Sequence, residues 1–307
     1  LVARYLYRDM RLSASDVSPK LAREFLGFSV WSFIMSISDS LRLQVDALVI
    51  GAFASAAMVT HYNVGARLAM YALTLLNRAT NMMTPLYTRL HTLQEKDSLR
   101  DKFLFFTKIN SMLGVFGGGA LILIGHAFIE RWMGPDYLDA YPVLVVLAVA
   151  IMAESINQPT TNILVAIAKH KFYALASLAE GIVNVLLSIV LLQKYGIVGV
   201  ALGTAIPMLV VRLVIVPIYT CRNIGLSVAR YYLTIGPIVS VIFVYLGLWY
   251  WYGASWLSGP DFGRVVTALV AMSLVYVVFI PFIGLTSSER RSLWRGTSAA
   301  MGRRSKV

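Results

Sequence analysis

The sequence predicts an all-α polytopic membrane protein, and three observations support this prediction. Hydrophobic residues make up 58% of the chain and charged residues only 14%, whereas a soluble domain carries about 25% charged residues. Apolar runs long enough to cross a bilayer recur from one end of the chain to the other. Lys and Arg gather at the ends of these runs, as is typical of the loops that orient a membrane protein.

Eight apolar segments are predicted as transmembrane helices, because each approaches or exceeds the roughly 20 residues that cross the hydrocarbon core. Stretches rich in glycine, proline or charge separate them. Their approximate bounds are 25–53, 57–88, 103–129, 141–168, 172–193, 196–220, 231–252 and 264–285.

The distribution of Lys and Arg between the loops predicts the orientation. The loops and ends on one side carry nineteen of them, whereas the other side carries only Arg131, Lys194 and Arg264. Because basic loops stay on the cytoplasmic side of a membrane, both ends of the chain are expected in the cytoplasm.

Composition and motifs argue against several other classes. The net charge of +12 is explained by topology and attraction to anionic lipid, not by nucleic acid. The single cysteine, Cys221, can form neither an intrachain disulfide nor a metal site alone. The histidines have no metal-ligand spacing, and no phosphate-binding glycine loop or nucleophile elbow occurs. We therefore predict no catalytic residues, no metal site and no enzymatic activity.

Nine charged residues lie within or near the predicted spans. Each costs about 2.5–3.5 kcal/mol at a helix centre unless it faces protein or water. The first three, Asp39, Arg42 and Asp46, stand at i, i+3 and i+7, so on one continuous helix they would share a face. They either neutralise one another along that helix or line a cavity.

The second span combines two arginines with polar residues on one face. Arg67 and Arg78 are eleven residues apart, close to three helical turns, which separates them by about 16 Å along the axis. Asn63, Thr74 and Asn81 fall near the same face. Since the forked guanidinium group suits phosphate, this face favours contact with an anionic ligand over purely structural pairing of the two arginines.

Polar residues also recur in the fourth, fifth and sixth spans. Glu180, Asn184 and Ser188 follow at i, i+4 and i+8, while Glu154 and Arg212 lie in the spans on either side. Polar stripes on neighbouring helices predict a shared hydrophilic cavity. Glu154 and Glu180 are either proton or cation sites in this cavity or buried partners of Arg212.

Two stretches carry a resemblance to a known family. VDALVIGAFASAAMVTHYNVGARL begins at Val45, with Asp46 followed by Gly51, and YGIVGVALGTAI begins at Tyr195. They resemble the polysaccharide-biosynthesis, or O-antigen-type, flippases of the multidrug/oligosaccharidyl-lipid/polysaccharide exporter superfamily. The likeness covers about residues 25–215 and is a distributed pattern rather than a catalytic motif.

The resemblance implies an architecture, since members of this family have twelve or fourteen spans in two six-helix lobes. The chain would be the second six-helix lobe plus two extra C-terminal helices. The implied units are a cytoplasmic inter-lobe segment at 1–24, a six-helix lobe at 25–220, two additional helices at 221–285 and a basic cytoplasmic tail at 286–307. The chain opens at Leu1 without an initiator Met, which agrees with a fragment preceded by a first lobe.

The resemblance also implies a flippase of the bacterial inner membrane, acting by alternating access in lipopolysaccharide or exopolysaccharide synthesis. Its substrate would be a polyprenyl-pyrophosphate-linked oligosaccharide. The cationic substrate cavity is assigned to Arg67, Arg78, Arg42, Arg212, Asn63 and Asn81. Ion coupling is assigned to Asp39, Asp46, Glu154 and Glu180. Apart from H+ or Na+ as coupling ion no cofactor is expected, and the expected partners are the lipid-linked oligosaccharide, membrane lipids, the first lobe and polysaccharide polymerase machinery.

Two alternatives stay open. A cation-coupled multidrug exporter of the same superfamily would favour a net acidic cavity, whereas the spans hold four acids against five bases. A membrane scaffold of a glycan-synthesis complex would tolerate neutralisation of the polar stripes, which a flippase would not.

Overall fold

The computed structural model describes residues 18–80, 83–257, 261–287 and 289–291. Within these ranges the regular structure is helical and contains no β-strand. The α-helices are α1 (Pro19–Leu43), α2 (Val45–Phe53), α3 (Ala56–Thr80), α4 (Thr84–Thr92), α5 (Lys96–Trp132), α6 (Ala140–Ala166), α7 (His170–Val210), α8 (Val216–Ile224), α9 (Val228–Leu257) and α10 (Phe262–Gly284). A 3-10 turn at Pro135–Tyr137 precedes α6, and a π-helical segment at Val211–Ile215 joins α7 to α8.

Five helical segments in the described ranges are long and apolar enough to cross a membrane. They are Lys96–Trp132, Ala140–Ala166, His170–Ile224, Val228–Gly253 and Phe262–Ile280. The third of these reverses at Gly196 and so supplies two of the predicted spans. The predicted span 25–53 is divided into α1 and α2, and the predicted span 57–88 into α3 and α4. Neither is among the five segments. The all-α polytopic membrane fold is confirmed.

The reversal within α7 depends on glycine. Gly196 has φ 59° and ψ −143°, a conformation that residues with a Cβ rarely adopt. The two arms of α7 then pack antiparallel, with Oγ of Ser188 3.3 Å from the carbonyl oxygen of Val200. A Cβ on Gly203 would lie 2.6 Å from the backbone nitrogen of Ser188. Gly199 and Gly203, which stand in a G-x-x-x-G spacing, thus allow the two arms to approach closely.

Helix α6 lies at the centre of the bundle, packed against α3, α5 and α7. In the most apolar 18-residue stretch of α6, 72% of the residues are buried, whereas the corresponding shares are 22% in α9 and 28% in α10. The last two helices contact the rest of the chain mainly through α5, for example where the hydroxyl of Tyr276 donates to the carbonyl of Met112 at 2.8 Å. Their remaining apolar surface is free to face lipid.

Candidate functional site

The first two helices are interrupted where the predicted polar stripe lies. Gln44, between α1 and α2, has φ −122° and ψ −19°, which departs from the helical φ of about −63°. The prediction of one continuous helix through Asp39, Arg42 and Asp46 is therefore wrong. Arg42 lies before the break and Asp46 after it, and the two residues belong to different polar clusters.

A group of buried charged side chains joins α1, α6, α7 and the π-helical segment. This ionic cluster consists of Arg42, Glu154, Glu180 and Arg212. Nη1 of Arg42 donates to Oε2 of Glu154 at 2.6 Å, and Nε of Arg212 lies 3.1 Å from the same oxygen. Glu180 lies 3.2 Å from Arg212 and 3.7 Å from Arg42, without the alignment of a hydrogen bond. Two arginines and two glutamates cancel in formal charge, so the cluster is self-compensated.

Further contacts hold both arginines of the ionic cluster. Oδ1 of Asp39, whose side chain is 54% exposed, lies 3.0 Å from Nη2 of Arg42. Nη2 of Arg212 donates to Oγ of Ser177 at 3.2 Å, and its guanidinium carbon lies 4.8 Å from the ring centre of Tyr173. The structure thus brings the two glutamates to Arg212, as one of the two sequence-based interpretations expected. Their assignment to ion coupling stays a prediction.

On the other side of the break, a second group of buried side chains meets through oxygen atoms. This oxygen cluster consists of Asp46, Tyr62, Asn184, Ser188 and Thr204. Oγ1 of Thr204 lies 2.9 Å from Oδ2 of Asp46 and 3.1 Å from Oδ1 of Asn184. The hydroxyl of Tyr62 donates to Asp46, and Oγ of Ser188 donates to Oδ1 of Asn184 at 2.9 Å. In the described part of the chain no cation pairs with Asp46, so its carboxylate is held by neutral groups alone.

Asn184 connects the oxygen cluster to the helix break. Its Oδ1 accepts from Oγ of Ser188 and lies 3.1 Å from Oγ1 of Thr204. Its Nδ2 donates to the carbonyl oxygens of Arg42 at 3.2 Å and Leu41 at 3.4 Å. These carbonyls lie in the last turn of α1, where an ordinary helix leaves its acceptors unsatisfied. One amide therefore stabilises the break and ties it to α7.

A cavity of about 340 Å³ opens between α1, α2, α3, α6 and α7. Four predicted site residues line it together, namely Arg42, Asp46, Asn63 and Arg67. Most of the remaining lining is apolar and comes from α3 and α6. The arrangement combines cationic groups, a buried carboxylate and an apolar wall in one opening.

The other predicted site residues lie elsewhere. Glu154, Glu180 and Arg212 are buried and do not line this cavity. Arg78 follows Arg67 on the same helix, α3, as predicted, but its side chain lies outside the described residues. Asn81 also lies outside the described residues.

Two members of the oxygen cluster escaped the sequence analysis. Tyr62 precedes Asn63 in α3, and Thr204 directly follows the second glycine of the G-x-x-x-G pair. Neither has a second polar side chain three or four residues away along its helix. Only the approach of α2, α3 and α7 reveals them.

Sequence comparison finds similarity to polysaccharide-producing systems. A family model described as polysaccharide biosynthesis protein matches residues 1–142. The uncharacterized membrane protein EpsK of Bacillus subtilis is 23% identical over 90% of this chain and 55% of its own length. The probable low-salt glycan biosynthesis flippase Agl15 of Haloferax volcanii is 21% identical over 64% of this chain and 42% of its own length. The chain thus spans about half the length of these relatives.

Comparison with solved structures identifies a protein with a similar fold. The lipid II flippase MurJ, in an inward closed conformation, superposes with a TM-score of 0.61 at 16% sequence identity. The match covers 87% of this chain and 55% of that protein. The helices described above therefore follow the arrangement found in part of that transporter.

Proposed function

We propose that this chain, which belongs to the multidrug/oligosaccharidyl-lipid/polysaccharide exporter superfamily, forms the second lobe of a flippase for a lipid-linked oligosaccharide. The substrate proposed is a polyprenyl-pyrophosphate-linked oligosaccharide that crosses the cytoplasmic membrane for surface polysaccharide synthesis. The observation that carries the proposal is the cavity in which Arg42 and Arg67 lie together. The flippase names of two similar proteins support it.

The two cavity arginines differ in how far their charge is already used. Arg42 is buried and pairs with Glu154 and Asp39. Arg67 is exposed and forms no ion pair or side-chain hydrogen bond with another described residue. A guanidinium that lines a cavity with its donors unused can bind a diphosphate by two parallel hydrogen bonds. Arg67 is therefore the stronger candidate for substrate contact, and Arg42 would shape the wall beside it.

For Arg212 the proposed role is indirect. Its side chain is fully buried and compensated by Glu154 and Glu180. It would hold α7 and the π-helical segment against α6, and through Glu154 it would position Arg42. Asn63, in the same wall as Arg67, would add a neutral donor for the sugar or phosphate.

The oxygen cluster is proposed as the coupling site. Five neutral or acidic side chains from four helical arms converge, and the only charge among them is the Asp46 carboxylate. Single-charge oxygen sites beside a helix break suit H+ or Na+ in transporters. An ion bound there would cancel the charge of the Asp46 carboxylate. Through Asn184, it would also change which conformation is preferred at the α1–α2 break. The test is whether Asp46→Asn removes the ion dependence of transport.

Arg67→Gln in the intact protein tests the substrate proposal in a flippase-deficient strain. Charge-assisted hydrogen bonds contribute about 1.5–3 kcal/mol, so we expect transport to fall roughly tenfold or more. Surface glycan should be lost and the lipid-linked precursor should accumulate inside.

The matched control is Arg89→Gln, which removes an exposed charge at the end of α4 outside the cavity and should rescue fully. Both variants are compared at equal membrane expression. Full rescue by Arg67→Gln would contradict anion gripping and favour a scaffold or a cation exporter.

The proposed orientation has both ends of the chain in the cytoplasm, supported by the asymmetry of Lys and Arg. Because Cys221 is buried, single introduced cysteines can be labelled with little background. Thr92→Cys should react with a membrane-impermeant maleimide only after the cells are opened, and Asp136→Cys should react in intact cells. The reverse pattern would overturn the orientation.

A further inference from the structure

A second cavity, of about 280 Å³, lies at the end of the bundle where α4, α6 and α8 end and α5 begins. Among the described residues its charged lining consists of Lys96, Arg100 and Arg222, joined by His91, with no Asp or Glu. We call this opening the basic cavity. It shares no lining residue with the cavity of Arg67, so it is independent of the function proposed above.

The cations of the basic cavity are only partly engaged by the protein. Nε of Arg100 donates to the carbonyl of Ile224 at 2.8 Å, and its Nη1 donates to Asp97 at 3.0 Å. These bonds orient the guanidinium. Lys96 and Arg222 form no side-chain hydrogen bond or ion pair with another described residue. Positive charge in this cavity is therefore left uncompensated.

A neighbouring cavity at the same end differs, because its lining includes acids as well as cations. It has a volume of about 360 Å³ and includes Asp101, Lys108, Arg230 and Glu289. Lys108 pairs with Glu289 at 2.9 Å, and Arg230 pairs with Asp101 at 3.4 Å. Burial raises the pKa of Glu289, but the donors of Lys108 and Thr286 outweigh it and keep this pKa below its usual range. In this cavity, called here the paired cavity, both acids pair with a cation, and Lys102 is a further cation in the lining.

Helix ends account for only part of the charge in the basic cavity. The C-termini of α4, α6 and α8 each carry about −0.5 charge, and the N-terminus of α5 carries about +0.5. Together they offset roughly one of the three permanent cations of Lys96, Arg100 and Arg222. Because Asp97 also pairs with Arg100, about one positive charge is left without a partner among the described residues.

The rest of the lining could also accommodate the apolar part of a lipid. Leu90, Leu99 and Ile167 provide an apolar wall beside the cations. The cavity also lies at the start of the membrane-crossing α5, where lipid headgroups meet water. Basic pockets between such helices suit anionic lipid headgroups.

We infer that the basic cavity binds a phosphate-bearing anion at the membrane surface. Lys96 and Arg222 would contact the phosphate oxygens directly, and Arg100 would be held beside them by its bonds to Ile224 and Asp97. The phosphate belongs either to a membrane phospholipid or to a soluble diphosphate.

The test uses the intact protein in phosphatidylcholine nanodiscs. Retention of added phosphatidylglycerol is measured by native mass spectrometry, and binding of inorganic pyrophosphate by calorimetry. The double variant Lys96→Gln/Arg222→Gln is compared with Lys102→Gln/Arg230→Gln, which removes the same charge from the paired cavity. We expect at least a tenfold loss of binding in the first variant and no change in the second.

The two ligands separate the sources of the phosphate. Loss confined to phosphatidylglycerol assigns the site to a lipid headgroup, and loss confined to pyrophosphate assigns it to a soluble anion. Equal binding by wild type and the first variant, or equal loss in both double variants, overturns the inference. Lys96→Arg/Arg222→Lys keeps the charge and should bind, which separates loss of charge from loss of folding.

Discussion

The ionic cluster and the oxygen cluster lie on opposite sides of the break at Gln44, but their charges are balanced differently. In the ionic cluster each arginine contacts a glutamate, and the formal charge is zero. In the oxygen cluster the described partners of the Asp46 carboxylate are hydroxyl groups and, through Thr204, an amide. The difference separates a site whose charges are already satisfied from one whose charge can be satisfied by something that binds.

This difference has consequences for stability and for function. A buried ion pair stabilises little overall, but removing one partner leaves an uncompensated charge and is strongly destabilising. Neutralising a carboxylate that is held by neutral donors alone lowers the stability of the protein much less. The two clusters should therefore respond in opposite ways to mutation, in the folding of the protein and in its transport.

The largest effect is expected for Arg212→Met, which leaves Glu180 without its nearer cation. We expect a loss of about 3–5 kcal/mol in the free energy of unfolding, seen as early thermal unfolding of the detergent-solubilised protein. Adding Glu180→Gln should recover a large part of this loss. If Arg212→Met unfolds like Arg264→Met, a variant outside the ionic cluster, the cluster is not a structural unit.

An intermediate effect is expected for Gly203→Val in the α7 hairpin. A Cβ there would lie 2.3 Å from Oγ of Ser188 and 2.8 Å from its Cα, so the arms must separate and the oxygen cluster must distort. Overpacking of this kind costs about 1–3 kcal/mol. Gly247→Val in α9 is the control, because no neighbouring atom lies within 4 Å of a Cβ there. Equal melting of the two variants would show that the close approach at Gly203 is not required.

The smallest effect on stability is expected for Asp46→Asn. The amide keeps an acceptor for Tyr62 and Thr204, so the free energy of unfolding should change by less than about 1 kcal/mol. Transport should nevertheless lose its dependence on pH or sodium, because the one charge of the oxygen cluster is gone. Glu95→Gln, an exposed acid in the loop before α5, should keep that dependence. A variant at Asp46 with unchanged ion dependence would remove the coupling proposal.

Much of this arrangement could be predicted from the sequence because it follows from local patterns. Hydropathy and loop composition placed the helical segments along the chain, although the first two are each divided into two helices. Helical spacing placed Arg67 and Arg78 on one helix. The break at Gln44 could not be predicted, because the local sequence is compatible with a continuous helix and the stabilising donor is Asn184, about 140 residues away.

By itself, the sequence determined the fold class, the helical segments and the presence of costly intramembrane charges, because these depend on hydrophobicity and short-range spacing. Only the tertiary structure decided which charges meet. It paired Arg42 and Arg212 with the two glutamates, left Asp46 among neutral oxygens, and left Lys96 and Arg222 without a partner among the described residues. The physical reason is that charge compensation depends on distances between helices far apart in the chain.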